Sequence, residues 1–265
     1  MPNYVGTCGW SYSEWIGPFY PTRTAPKLKY YSSIFSTTEV DSTFYSYPKS
    51  EMVQGWARNT PAGFKFSLKL PQVITHTKKL ENVQEDTQKF LELVRPLSVA
   101  NKMGAILIQL PPSFAIDRYD VLEEFFKILP SGFSYAVEFR NKSWEATKTW
   151  KLLESYKISS VITDSPLELK SNIATDWAYV RYHGRGEKIW FDYRYSEEEM
   201  KNIAKGFGKI IEKSSVVYAY FNNHYGANAV ENALQLMDIT GVLSSRQQEQ
   251  LNKLHAKIAD LGTFF

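Results

Sequence analysis

Tyr135-Ala136-Val137-Glu138-Phe139-Arg140 is the stretch whose reading decides the fold. Apolar and aromatic residues dominate it and predict a buried β-strand, yet two charged side chains stand two positions apart within it. The two-residue period of a strand puts Glu138 and Arg140 on one face and Val137 and Phe139 on the other. Such a pattern suits a strand covered by helices outside and facing a crowded interior inside. A charge in that interior is costly unless it is paired, so the two need other polar groups at the same level.

Working outward, the same beat recurs. Strands are expected at Tyr4 to Thr7, Thr38 to Asp41, Phe64 to Leu70, Ala105 to Leu110, Ser160 to Thr163, Trp177 to His183 and Val216 to Asn222. Helices are expected at Leu28 to Phe35, Glu51 to Arg58, Glu85 to Leu97, Tyr119 to Leu129, Trp144 to Tyr156, from Ser196 onward, and at Ala227 to Met237. Leu167 to Thr175 has no helical period, so one helix is short or missing there. Counting the opening stretch, eight strands nearly all followed by a helix predict an α/β fold: a single closed parallel (β/α)8 TIM barrel over residues 1–240. An additional C-terminal helix, Ser244 to Leu261, falls in residues 241–265. Its narrow stripe of Leu251, Leu254 and Ile258 is expected to pack on the barrel or on a second copy of the chain, the latter giving a homo-oligomer.

Composition narrows the classes. With 265 residues, 43% hydrophobic and 22% charged, the chain suits one large domain. It has no run of about 18 apolar residues, and its start lacks the basic and apolar regions of a signal peptide. A cytoplasmic protein with no membrane association is expected. The single cysteine, Cys8, excludes an internal disulfide and a multi-Cys metal site. A net charge of +3 does not by itself demand nucleic acid.

In barrels of this kind the chemistry sits at the C-terminal ends of the strands, and polar residues gather there strand after strand. The second strand offers Glu39 and Asp41, the third Lys69, the fourth Gln109, the fifth Glu138 and Arg140. The sixth offers Asp164, the seventh Arg181 and His183, the eighth Asn222 with Asn223 following. One account is a structural ionic network in which Glu39 and Glu138 hold Arg140 and Arg181. The other is a binding site, with Arg140, Arg181 and His183 at strand tips within reach of a ligand. Asn222, Asn223 and Arg185 of the His183-Gly184-Arg185-Gly186 loop then suit an anion near the last strand. His76 is a further histidine for the mouth, Cys8 a strand-tip thiol, and Trp10, Trp15, Tyr20 and Tyr45 a platform for a sugar or base. The cofactor stays open: a divalent metal at His224 finds no His-x-x-x-His or His-Glu pair to complete it.

Ordered motifs add a resemblance. Gly6-Thr7-Cys8-Gly9-Trp10-Ser11-Tyr12, Glu39-Val40-Asp41-Ser42-Thr43-Phe44-Tyr45 and Phe66-Ser67-Leu68-Lys69 belong to it. So do Gln109-Leu110-Pro111-Pro112-Ser113-Phe114, Val137-Glu138-Phe139-Arg140, Tyr179-Val180-Arg181-Tyr182-His183-Gly184-Arg185 and Tyr220-Phe221-Asn222-Asn223. Together they resemble domain of unknown function 72, the YecE-like proteins, over nearly everything to about Met237. The resemblance implies a TIM barrel and implies no activity.

From the residues, the expected function is a hydrolase or lyase acting on a small anionic, phosphate-bearing ligand or a nucleic acid: a nucleotide, nucleic acid or sugar phosphate. Arg140, Arg181 and Lys69 would bind the anion, with Arg185, Asn222, Asn223, Gln109, Trp10 and Tyr45 as further ligand-binding residues. Glu138 or Asp164 would be the general base and His183 the general acid or a metal ligand. The alternatives are a glycosidase using two carboxylates from Asp41, Glu138 and Asp164, and a non-catalytic nucleic-acid or carbohydrate binding protein.

Overall fold

A computed structural model describes residues 3–167 and 169–262, and side chains as far as residue 256. Eight strands, β1 (Asn3–Cys8), β2 (Thr37–Val40), β3 (Lys65–Lys69), β4 (Met103–Gln109), β5 (Ser134–Glu138), β6 (Ser159–Asp164), β7 (Trp177–Tyr182) and β8 (Val216–Phe221), form one closed parallel barrel in sequence order. Closure is made by β8 against β1, with Asn3 opposite Val217 and Thr7 opposite Phe221. The (β/α)8 architecture read from the strand count is the architecture observed.

Around it run α1 (Lys27–Tyr31), the single turn α2 (Ser42–Tyr45), α3 (Ser50–Arg58), α4 (Gln84–Val99), α5 (Tyr119–Ile128), α6 (Thr147–Ser155), α7 (Glu197–Ile211), α8 (Asn228–Ile239) and α9 (Ser245–Gly262). Local chemistry explains several boundaries. The Ser196 hydroxyl accepts from the Glu199 backbone N–H, while the Glu199 carboxylate accepts from the Ser196 N–H, a reciprocal cap that starts α7. In α5, Leu122, Phe125 and Phe126 recur at helical spacing and are buried on the barrel wall. Between β6 and β7 no helix forms among the described residues, as the missing period predicted.

The core has two layers. The larger lies between strands and helices; the smaller fills the barrel with Cys8, Ala105, Leu107, Ala136, Val161, Tyr179, Tyr218 and Tyr220. Buried tyrosines need partners for their hydroxyls. Tyr220 Oη pairs with Thr37 Oγ1 at 2.7 Å and Ser67 Oγ at 2.8 Å, closing the interior below the mouth.

One local reading changes, and of the two places expected for the C-terminal helix one is seen. The opening strand ends at Glu138, two residues earlier than its apolar pattern suggested, and Phe139 leaves the sheet to stack on Trp144 at 4.8 Å. Arg140 therefore rides on the loop and not on the strand. The C-terminal helix α9 packs on the chain's own barrel wall. Leu251 and Leu254 are buried, Gln247 Nε2 donates to the Ile34 carbonyl at 2.7 Å, and Tyr30 Oη to Gln250 Oε1 at 3.0 Å. Those two leucines are thus covered without a second copy; the side chain of Ile258 lies outside the described residues. No helix among the described residues is long and apolar enough to cross a membrane.

Candidate active site at the barrel mouth

Arg181, near the end of β7, stands in the centre of the barrel with its guanidinium fully buried. Its Nη1 donates to Glu138 Oε2 of β5 at 2.6 Å, and its Nη2 to Glu39 Oε1 of β2 at 2.7 Å. Asp41 Oδ1, just past β2, lies 3.4 Å from the same Nη2. Three carboxylates from two strands thus share one cation. Glu138 Oε1 accepts from Arg140 Nη2 at 2.5 Å and stands 3.2 Å from His183 Nε2. Asn222 Nδ2 lies 3.2 Å from His183 Nδ1. Arg140 Nη2 also stands 3.2 Å from His183 Nε2; a neutral imidazole protonated on Nε2 donates to Glu138 and accepts from Asn222, and Arg140 then bonds Glu138 and not the ring.

Electrostatics separates these groups. Burial opposes ionisation of Glu138, but Arg140 and Arg181 outweigh it and hold the carboxyl well below the usual range. Burial raises Glu39 to about 7, with Asp41 adding and Arg181 opposing. Asp41 resists burial through Arg181 and Lys69, which keep it below the ordinary carboxylate value. Burial lowers His183 to about 4, Glu138 opposing and Arg181 adding, so it is neutral at pH 7. Lys69 is also lowered by burial. Its Nζ sits 3.9 Å from the centroid of Phe44, and no carboxylate among the described residues lies within ion-pairing distance of it.

Above this network opens a cleft of about 630 Å³. Asp41, Lys69, Gln109, Arg140, Arg181, His183 and Asn222 contribute its polar lining, and Trp10 and Tyr45 part of its aromatic wall. The strand-end address therefore collects most of the residues expected from sequence. Four expected residues, Asp164, Arg185, Asn223 and His76, stand elsewhere. Asp164 is held by Arg185 and by Tyr195 Oη at 2.6 Å, and both Asp164 and Arg185 line a separate hollow of about 330 Å³. Asn223 is buried beneath the loop after β7, donating to the Tyr193 carbonyl at 2.9 Å and Asn232 Oδ1 at 2.7 Å. His76 stays outside the cleft, bonded to Thr75 Oγ1 at 2.9 Å and edge-on to Phe44.

Trp190, to which the sequence assigned no role, and His224, considered there only as a metal ligand, enter as well. Trp190 covers Arg140, its ring centroid 5.5 Å from Cζ. His224 lines the cleft with Glu14 Oε1 3.2 Å from its Nδ1, and its ring stacks on Tyr12 at 4.3 Å. A carboxylate on Nδ1 fixes the tautomer and leaves Nε2 for proton exchange. Tyr12 Oη is tied to the Cys8 carbonyl at 2.8 Å, and Trp15 Nε1 to the His224 carbonyl at 2.7 Å, so the first loop and the last strand brace each other.

Cys8, Glu39 and Asp41 bring potential ligand atoms within 4.8 Å of one another. Arg181 Nη2 already sits among them, 2.7 Å from Glu39, 3.4 Å from Asp41 and 3.8 Å from Cys8 Sγ. Burial also pushes the Cys8 thiol up, with Glu39 adding, so it keeps its proton. A guanidinium in the place of the cation and a protonated thiol do not suit a metal ion.

Comparison with known proteins agrees with this architecture. A Bacillus subtilis protein, UPF0759 protein YunF, is 26% identical over 90% of this chain and 95% of its own length. UPF0759 protein YecE of Escherichia coli O157:H7 is 30% identical over 61% of this chain and 59% of its own. The crystal structure of a family member from Thermotoga maritima superposes with a TM-score of 0.81 at 32% identity, covering 91% of this chain and all of that one. The family described as protein of unknown function DUF72 matches residues 4–255, running from β1 into α9, and the chain belongs to that family.

Proposed function

We propose that the protein is a hydrolase or lyase acting on a phosphate-bearing ligand held in the cleft at the barrel mouth. One observation carries this reading: two cations face the cleft with hydrogen-bonding capacity to spare. Lys69 has no carboxylate partner among the described residues, and Arg140, which bonds Glu138 through Nη2, has no partner for its Nη1 among them. An oxyanion between them would satisfy both with charge-assisted hydrogen bonds. Arg181 uses both Nη atoms on Glu39 and Glu138, and its Nε is buried, so its part is to hold the carboxylates in place.

The chemical roles follow from which groups remain open. Both oxygens of Glu138 are occupied and Asp164 faces another hollow, whereas Asp41 keeps a quarter of its side chain exposed on the cleft. Asp41 is the general base of this reading, taking a proton from water or from the ligand. His224, oriented by Glu14, gives the leaving group a proton through Nε2 from its imidazolium form and regains one from solvent, while Asp41 releases the proton it took. His183 is a positioning residue that steadies Glu138 and thereby Arg140. The glycosidase alternative loses support from the same geometry, because of Asp41, Glu138 and Asp164 only Asp41 presents a free oxygen to the cleft.

Calorimetric titration with inorganic phosphate and a turnover panel of phosphomonoesters and phosphodiesters test the proposal. Lys69→Met and Arg140→Gln are each expected to weaken phosphate binding about tenfold or more, the scale of a lost charge-assisted bond. Asp41→Asn is expected to lower turnover by about 100-fold or more, the range of general-base contributions. Wild-type protein that binds no phosphate and turns over no member of the panel would overturn it.

A further inference from the structure

Each of the two open cations carries an aromatic ring, and beside each ring a second one reaches solvent. On one side Lys69 lies against Phe44, and Tyr45, edge-on to Phe44 at 5.2 Å, is 73% exposed. On the other, Arg140 lies under Trp190, and the adjacent Phe191 is 36% exposed, resting on His224 at 5.2 Å. The loops that carry these rings follow β2 and β7, three strands apart around the eight-stranded barrel, so they flank the mouth from opposing sides. Tyr45, Phe191 and the 44% exposed Met52 all line the same cleft. Each ring packs on one side only and leaves its other surface to solvent, which suits a stacking platform beside a cationic floor.

A single anion with one attached ring would use one of these platforms. Two platforms on either side of one anion site match a phosphodiester with a planar base on each flank. We infer that the ligand class of this cleft is a single-stranded nucleic acid segment, its backbone phosphate over Lys69 and Arg140 and its neighbouring bases on Tyr45 and Phe191. This rests on the anion site proposed above and narrows its ligand from phosphate compounds at large. Stacking on side-chain rings is tolerant of base identity, so the cleft is expected to show little sequence preference.

The test uses the full chain carrying Asp41→Asn, titrated with inorganic phosphate, thymidine 5′-monophosphate, the dinucleotide dTpdT and a single-stranded thymidine octamer. The dinucleotide and octamer are expected to bind about tenfold or more tighter than the monophosphate. Adding Tyr45→Ala or Phe191→Ala is expected to lower the ratio of octamer to phosphate affinity by about fivefold or more, the loss expected for one stacked base. If phosphate binds but the octamer binds no tighter than the monophosphate, or the ratio is unmoved by both substitutions, the nucleic-acid inference falls and the anion site stands. If neither phosphate nor the octamer binds, both fall.

Discussion

Arg181 answers Glu39 and Glu138 at 2.7 and 2.6 Å, and removing it leaves those carboxylates buried together without their common cation. Arg181→Met is expected to cost about 3–5 kcal/mol, the range for breaking a buried pair from one side; urea unfolding measures it, and a loss under about 1 kcal/mol would show that the network does not support the fold. Protonation gives a second handle. The Glu39 carboxyl, raised to about 7 from 4.5, binds its proton more tightly folded than unfolded. Its contribution is therefore full below pH 4.5 and lost as pH rises to about 7. His183, lowered to about 4 from 6.5, works in the opposite sense: its contribution is present above pH 6.5 and lost as pH falls to about 4. Glu39→Gln should thus make stability climb more steeply between pH 5 and 6.5, by about 1.4 kcal/mol per pH unit at most. Unfolding midpoints across that range read the slope; parallel curves for variant and wild type would mean that Glu39 is ionised throughout.

At the scale of elements, the loop between β7 and α7 decides what covers Arg140. Gly184 has φ of +81°, and a Cβ there would collide with the Trp190 carbonyl and crowd Tyr193. Gly184→Ala is expected to cost more than about 1 kcal/mol and to weaken phosphate binding. Gly132, with φ of +97° but open space around it, is the control: Gly132→Ala carries the backbone strain alone and leaves the cleft intact. Thermal unfolding and phosphate titration of both variants separate the two effects. Elements of this kind also mark how far sequence reaches. The strand ends were legible because a period of two assigns a face, and that is enough to collect Lys69, Gln109 and Arg181 at one cleft, with His183 and Asn222 one residue past their strands; Arg140 reaches the same cleft from a loop. The direction in which a loop turns has no period. Asp164 ends its strand like the others, yet Tyr195 and Arg185 draw it into a separate hollow. Trp190 gave no signal for the same reason, and the Glu14–His224 contact joins residues 210 positions apart.

For the whole molecule, the barrel is finished by an element beyond its eight repeats. Helix α9 lies against α8 and the α1 region, burying Leu251 and Leu254. Leu251→Ala and Leu254→Ala are each expected to cost about 2–5 kcal/mol, as for other buried leucines. Chemical denaturation checks this, and losses under about 1 kcal/mol would make α9 an ornament of the surface. The ion network has a consequence of another kind, for descent. Glu39, Glu138 and Arg181 come from three strands and answer one another in the dry interior, so a lineage that alters one of them strands the others. Replacement of all three by apolar side chains avoids that penalty, but no single step leads there without passing through a crippled intermediate. Positions 39, 138 and 181 are thus expected to be inherited as a block: kept together where the site is retained, and lost together where it has been abandoned.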